Sequence, residues 1–210
     1  KMINKKLNNL PYRPCVGIVL FNNNNQVFIA RRNDVGRQSW QFPQGGINSG
    51  EEPEAAALRE LEEETNIKTV RIVDRTAEWL CYDYPPNVSA RSFAGNYRGQ
   101  KQIWFAMRFF GNEDEIDLGG WSAEFDDWKW TSLRSTITMI VDFKKNVYEK
   151  VVRRFSHLEK EIDLKYDLER NVKLVSFNKG KIDISFNEKL NKNFIKNLTE
   201  KLLQWTGERW

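Results

Sequence analysis

The sequence predicts an α/β (α+β) sandwich on a mixed sheet, followed by a small ββα appendage. Three features carry that reading. A strand hairpin lies near the start, strand-like runs then mix with helices without a regular βαβ alternation, and lysine and asparagine become frequent after about residue 165. A chain of 210 residues with eight tryptophans and thirteen phenylalanines can bury a core and is not disordered.

In chain order, "PCVGIVLF" and "QVFIARR" read as the strands of a hairpin over 14–32, with the asparagine run 22–25 as its turn. A helix is expected over 53–65, where Pro53 suits a first helical position and Glu54 the first turn. Strand-like runs follow at 69–74, 77–84, 100–109 and 126–131, and a second helix from Asp142 to about Leu164. In the tail, "VKLVSFNKGKIDISF" has a hairpin pattern with its turn at Asn178 to Gly180, and "KNFIKNLTEKLLQW" carries a helical apolar stripe. The expected division is a domain over 1–160 and a ββα tail over 165–210.

No apolar run approaches the roughly 20 residues needed to cross a bilayer, and the opening "KMINKKLNNLPYRP" lacks a signal peptide's apolar core. A soluble cytoplasmic protein is expected. Cys15 and Cys81 sit among apolar or aromatic residues and read as buried thiols, not a disulfide. The net charge of +4 permits an anionic partner such as RNA or nucleotides without demanding one.

Against that basic balance, the stretch "GGINSGEEPEAAALRELEEETNI", residues 45–67, holds seven glutamates. At about 100° per residue from Leu58, Leu61 and Thr65 fall near roughly 300° and 340°, and Glu60, Glu63 and Glu64 near roughly 200°, 140° and 240°. The carboxylates share a face, expected to lie opposite a packing face of Leu58 and Leu61. Like charges at these spacings repel, so either water solvates them or a hard divalent cation such as Mg²⁺ or Mn²⁺ gathers their oxygens.

The spacing decides between these. Gly45, Glu51, Arg59-Glu60-Leu61, Glu63-Glu64 and Asn66-Ile67 fit the pattern G-x5-E-x7-R-E-U-x-E-E-x-G-U with one departure, Asn66 in place of glycine, and so resemble the Nudix box. Asparagine tolerates left-handed backbone, so a glycine-like helix end remains feasible. The resemblance implies a loop-helix-loop on an α/β/α sandwich that hydrolyses a nucleoside diphosphate linked to another group, with Glu60, Glu63 and Glu64 as ligands of a divalent metal, Mg²⁺ or Mn²⁺, and Arg59 beside them in the catalytic motif.

Over about residues 10–158, "YRPCVGIVLFN", "ARR", "SWQFPQGGI", "YRGQKQIWF", "EFDDWKW" and "DFKKNVYEKVV" are similar to the bacterial RNA pyrophosphohydrolases, also described as dinucleoside polyphosphate hydrolases. The resemblance implies 5′-triphosphate RNA or a dinucleoside polyphosphate as substrate. It gives Arg13, Arg31, Arg32, Ser39, Gln100, Phe143 and Lys144 as substrate-binding residues, and lets Glu124 complete the cation site. Plain alternatives stand beside these: Arg31 and Arg32 as surface charge, Trp40 and Phe42 as core or loop anchors, Asp126 and Asp127 as loop or cap residues, and His157 as a surface residue.

With one histidine, no G-x-S-x-G elbow and no cysteine beside a histidine, no side-chain nucleophile is visible, and water is expected to attack. Glu64 or Glu63 would take its proton. The tail, ending "LLQWTGERW", resembles part of the C-terminal region of the alphaproteobacterial DNA polymerase III tau subunit, where a further strand follows. It is therefore expected to pack incompletely, and Lys1 ahead of Met2 leaves two origins open, a natural fusion or two joined coding regions. A role for the tail in binding RNA or the replisome is the alternative of another class.

Overall fold

The computed structural model describes residues 9–33, 39–85, 96–119, 124–158, 164 and 167–209. Contacts divide the chain into two compact units, Lys1–Asn22 with Gln26–Arg154 and Asn23–Asn25 with Phe155–Trp210. Among the described residues, no helix is long and apolar enough to cross a membrane.

The first unit is built on an eight-stranded mixed sheet. Strand β1 (Tyr12–Phe21) runs parallel to β7 (Gly99–Phe109), in register from Tyr12↔Gly99 to Phe21↔Arg108. The other pairings are antiparallel: β2 (Val27–Arg32) with β1, β3 (Trp40–Gln41) and β8 (Phe125–Thr131), β4 (Gln44–Gly46) with β1, and β5 (Val70–Arg75) and β6 (Leu80–Asp83) with β7. Both faces of β1 are covered, which is why it reads as a nearly unbroken apolar run. Val16, Ile18 and Leu20 meet Ile103, Phe105 and Met107 and helix α1 (Pro53–Thr65) on one side. On the other, Trp104 packs edge-on to Phe42 and to Tyr148 of helix α2 (Lys145–Phe155), and Phe42 stacks on Tyr148 at 5.0 Å.

Helix α1 starts with Pro53 in its first turn and ends at Asn66, whose φ of 59° is left-handed and whose N–H donates to Glu62 O at 2.7 Å. The asparagine thus makes the helix end that the motif ordinarily gives to glycine. The expected packing face is corrected. Leu58 is 43% exposed, and the buried residues are Ala56, Ala57, Leu61 and Thr65. Two alanines let the helix sit close to the sheet, and the arc they share with Leu61 also contains Glu60 and Glu64. Glu60 and Glu64 therefore lie on the packed side of α1, not opposite it, and Glu63 stays exposed.

Other expectations change as well. The short strands β3 and β4 lie within "WQFPQGG", too brief to show a period. The second helix opens as a 3₁₀ turn over Asp142–Lys144 and its regular part ends at Phe155, before a turn at Ser156 and His157; residues 159–163 lie outside the described residues. Cys15 is buried, but Cys81 is exposed, since side chains alternate along β6 and Cys81 lies on the face opposite buried Tyr82; both thiols are free. Asp126 and Asp127 belong to β8 and pair with Arg31, so they are not loop or cap residues. Phe42 is core, whereas Trp40 is half-exposed with the Lys129 Nζ 4.0 Å over its ring. His157 is exposed.

In the second unit, β9 (Val172–Asn178) and β10 (Lys181–Phe186) form a two-stranded antiparallel sheet, and helix α3 (Phe194–Thr206) ends at Gly207 with φ 72°. Asp167 ties this unit together: its carboxylate accepts from Asn171 Nδ2 at 2.6 Å and from the Asn191 N–H.

Candidate active site

Arg59 organises the acidic end of α1. Its guanidinium forks onto Glu51, with Nε to Oε1 at 2.7 Å and Nη2 to Oε2 at 2.8 Å. Nη1 donates to Glu60 at 2.8 Å and Glu63 at 3.1 Å, and Nη2 also reaches the Gly46 carbonyl at 2.8 Å. One cation thus fastens the helix to the loop before it. The fork holds the Glu51 carboxyl down at about 2, helped by the Asn48 N–H, and raises the guanidinium's own pKa. Sequence reading placed Glu51 in the motif without giving it a task; its task is to hold Arg59.

Glu60 and Glu64 turn toward the sheet. A Cβ on Gly45 would run into the Glu60 carboxylate, and one on Gly46 into the Arg13 guanidinium, so both glycines leave room for a charged side chain. Burial pushes the Glu60 carboxyl up, against the pull of Arg59. Glu64 is pushed well above the usual range by burial first and then by the charges of Glu124 and Glu60, although its Oε2 accepts the Gln44 N–H at 3.0 Å. Glu63 is exposed.

The donors Glu60, Glu63, Glu64 and Glu124 are all carboxylate oxygens, the kind that Mg²⁺ and other hard divalent cations take. Among the described residues no three such side chains already converge to enclose an ion. Glu60 and Glu63 instead share the Nη1 of Arg59, and a glutamate's flexible stem lets each carboxylate turn. Mutual repulsion that raises Glu64 is what a divalent cation relieves, so the set fits one.

Lys144 faces this cluster from the 3₁₀ turn before α2. It is buried, its Nζ donates to Gln41 Oε1 at 3.2 Å, and burial lowers its pKa to about 8 with the Arg32 charge adding, against Glu64 and Glu124. Arg32 pairs with Glu124 at 3.3 Å, and its N–H donates to the Ser39 carbonyl. Arg13 stands opposite Gln100 in the β1–β7 register, and Gln100 donates to the Tyr84 hydroxyl at 3.1 Å. Phe143 is half-buried, its ring 5.7 Å from that of Tyr82. Arg31 is committed to Asp126 at 2.7 Å and Asp127 at 3.4 Å. Sequence reasoning missed Gln41, Gln44, Gln102, Tyr82 and Tyr148. For the three glutamines the signal was a polar residue near aromatic ones, which spacing alone does not separate from a surface position.

The site and the sandwich together define the class. The family model described as NUDIX domain matches residues 11–151, and the chain belongs to that family. Within it, the chain is 47% identical over 160 residues to the RNA pyrophosphohydrolase of Azorhizobium caulinodans, with 71% of this chain and 95% of that one covered. It is 48% identical over 164 residues to the RNA pyrophosphohydrolase of Agrobacterium fabrum, covering 73% and 96%. It is accordingly an enzyme that hydrolyses pyrophosphate bonds. The dihydroneopterin triphosphate pyrophosphohydrolase of E. coli has a similar fold, with a TM-score of 0.53 at 17% identity over 69% of this chain and 99% of that one. A second model, described as DNA polymerase III gamma and tau subunits C terminal, matches residues 146–210.

Proposed function

We propose that the protein removes pyrophosphate from 5′-triphosphate RNA ends, leaving a monophosphate, in the cytoplasm and with Mg²⁺ or Mn²⁺. The observation that carries this is the cluster of Glu60 and Glu64 on the packed side of α1, faced by the buried ammonium of Lys144. Similarity to the RNA pyrophosphohydrolases supports RNA as the substrate.

Glu60, Glu63 and Glu64 would hold the cation, with Glu124 completing its shell. When bound, the cation supplies Lewis-acid charge and lowers the pKa of a water. Arg13, Arg32 and Lys144 neutralise the phosphates as charge builds on the leaving pyrophosphate. Arg31 shapes the β2–β8 border through its two aspartates, Ser39 fixes the Arg32 backbone, and Gln100 and Phe143 receive the first nucleotides. Glu64, with Oε2 fastened by the Gln44 N–H, offers Oε1 to the water's proton from a fixed position that exposed Glu63 lacks.

The test is RNA carrying a labelled α-phosphate. Metal-dependent formation of a labelled monophosphate end, with unlabelled pyrophosphate released, supports the reading; retention of the triphosphate overturns it. Diadenosine tetraphosphate run in parallel checks the second substrate, whose adenine could stack on the half-buried Phe143. A large preference for the dinucleotide would reverse the order of the two.

A further inference from the structure

Gln41 lies on the two-residue strand β3, 2% exposed, and its two amide atoms fare differently. Its Oε1 accepts from Lys144 Nζ, while its Nε2 has no hydrogen-bond partner among the described residues. Chemistry fixes that orientation. An ammonium can only donate, so the amide must turn oxygen to Lys144 and leave its NH₂ on the other side. The neighbouring amides are not in this state: Gln102 donates to Gln44 at 3.3 Å and to Gln100 at 3.0 Å, and Gln100 donates to Tyr84. An orphaned buried donor is costly, and one that borders an anion site has an evident acceptor. Gln41 borders such a site through Lys144, whose charged or titratable neighbours are Arg32, Glu64, Cys15 and Glu124.

We propose that Gln41 is a positioning and substrate-binding residue: its Oε1 holds the Lys144 ammonium in place, and its Nε2–H donates to a phosphate oxygen of the substrate. The inference rests on the triphosphate-RNA reading for the identity of the substrate, and on the geometry alone for the phosphate contact.

Two variants separate the roles. Gln41→Met removes both polar atoms at similar volume, and Gln41→Glu keeps an acceptor for Lys144 but replaces the donor with negative charge. On triphosphate RNA, both should raise KM about tenfold or more with kcat changed only a few-fold. The alkaline fall of kcat/KM should move upward by about one pH unit in Gln41→Glu alone, because a carboxylate stabilises the charged lysine. That limb reads the contact with Lys144; the rise in KM at nearly constant kcat in Gln41→Met is what a purely structural residue would not give. Unchanged KM in both variants, with active wild-type enzyme, overturns the inference. Inorganic tripolyphosphate binding, followed by calorimetry without RNA, keeps the two readings apart. Weaker binding by the neutral Gln41→Met supports the phosphate contact even if the wild type leaves RNA intact, and equal binding refutes it. Should the variants not fold, the side-chain amide resonance of Gln41 in the wild type decides: a shift on adding tripolyphosphate is expected, and its absence sinks the proposal.

Discussion

The helix α1 and the hairpin β9–β10 solve opposite problems. Around α1, Glu60 and Glu64 are drawn inward, and Arg59 alone joins three carboxylates and a carbonyl. In the hairpin and α3, large apolar groups face outward, with Phe186 65% and Trp205 66% exposed. A two-stranded sheet is marginal in water, and polar ties such as Asp167 to Asn171 and Asn191 hold what burial does not. Burial next to charge is where chemistry is expected, and exposure of apolar surface without a catalytic constellation is where it is not.

The largest break in this contrast would come from the carboxylates. Glu64→Gln and Glu63→Gln should each lower turnover by roughly 100-fold or more, with melting temperature unchanged or, for Glu64→Gln, higher, because a repelled half-buried carboxylate is gone. Turnover near normal in both would return the helix to a solvated acidic face. Next in size is Gly45→Ala, whose Cβ displaces the Glu60 carboxylate; kcat should fall at least tenfold while far-ultraviolet dichroism keeps the native spectrum. Arg59→Lys should cost about 1–3 kcal/mol in urea unfolding, since an ammonium cannot reproduce the fork onto Glu51.

A smaller effect concerns pH. Lys144 titrates near 8 in the folded chain, against about 10.4 when unfolded. Between those values the unfolded chain binds more protons, so this group adds stability as pH rises through the window, by at most about 3 kcal/mol. Cys15, raised by burial to about 11, works the other way at the upper end. The measurement is therefore the difference between wild type and Lys144→Met, which should narrow steadily from pH 8 to 10. Smallest of all, truncation near residue 160 should leave RNA turnover and melting temperature almost unchanged. Lost turnover would give the tail a part in the reaction.

Strand and helix positions in the first unit were largely legible because β1 and β7 are long apolar runs and α1 is a long stretch of helix-forming residues opened by Pro53. The motif spacing also located Glu60, Glu63, Glu64 and Arg59. What stayed hidden was direction. A helical wheel ranks faces by apolarity, and it placed Leu58 inward; the actual buried arc is set by two alanines and by Gly45, which accommodates Glu60. Glu60 sits on the packed side because its neighbour Gly45 lacks a side chain, and that is a property of another strand. Gln41 was hidden for a different reason, since its bond to Lys144 joins residues 103 positions apart.

Manganese binding, read by the loss of the free ion's paramagnetic resonance signal, bears most directly on the claim that a divalent cation holds the α1 carboxylates together. Wild-type protein should bind Mn²⁺ at least tenfold more tightly than Glu64→Gln, with both chains folded. Equal binding by the two would contradict it.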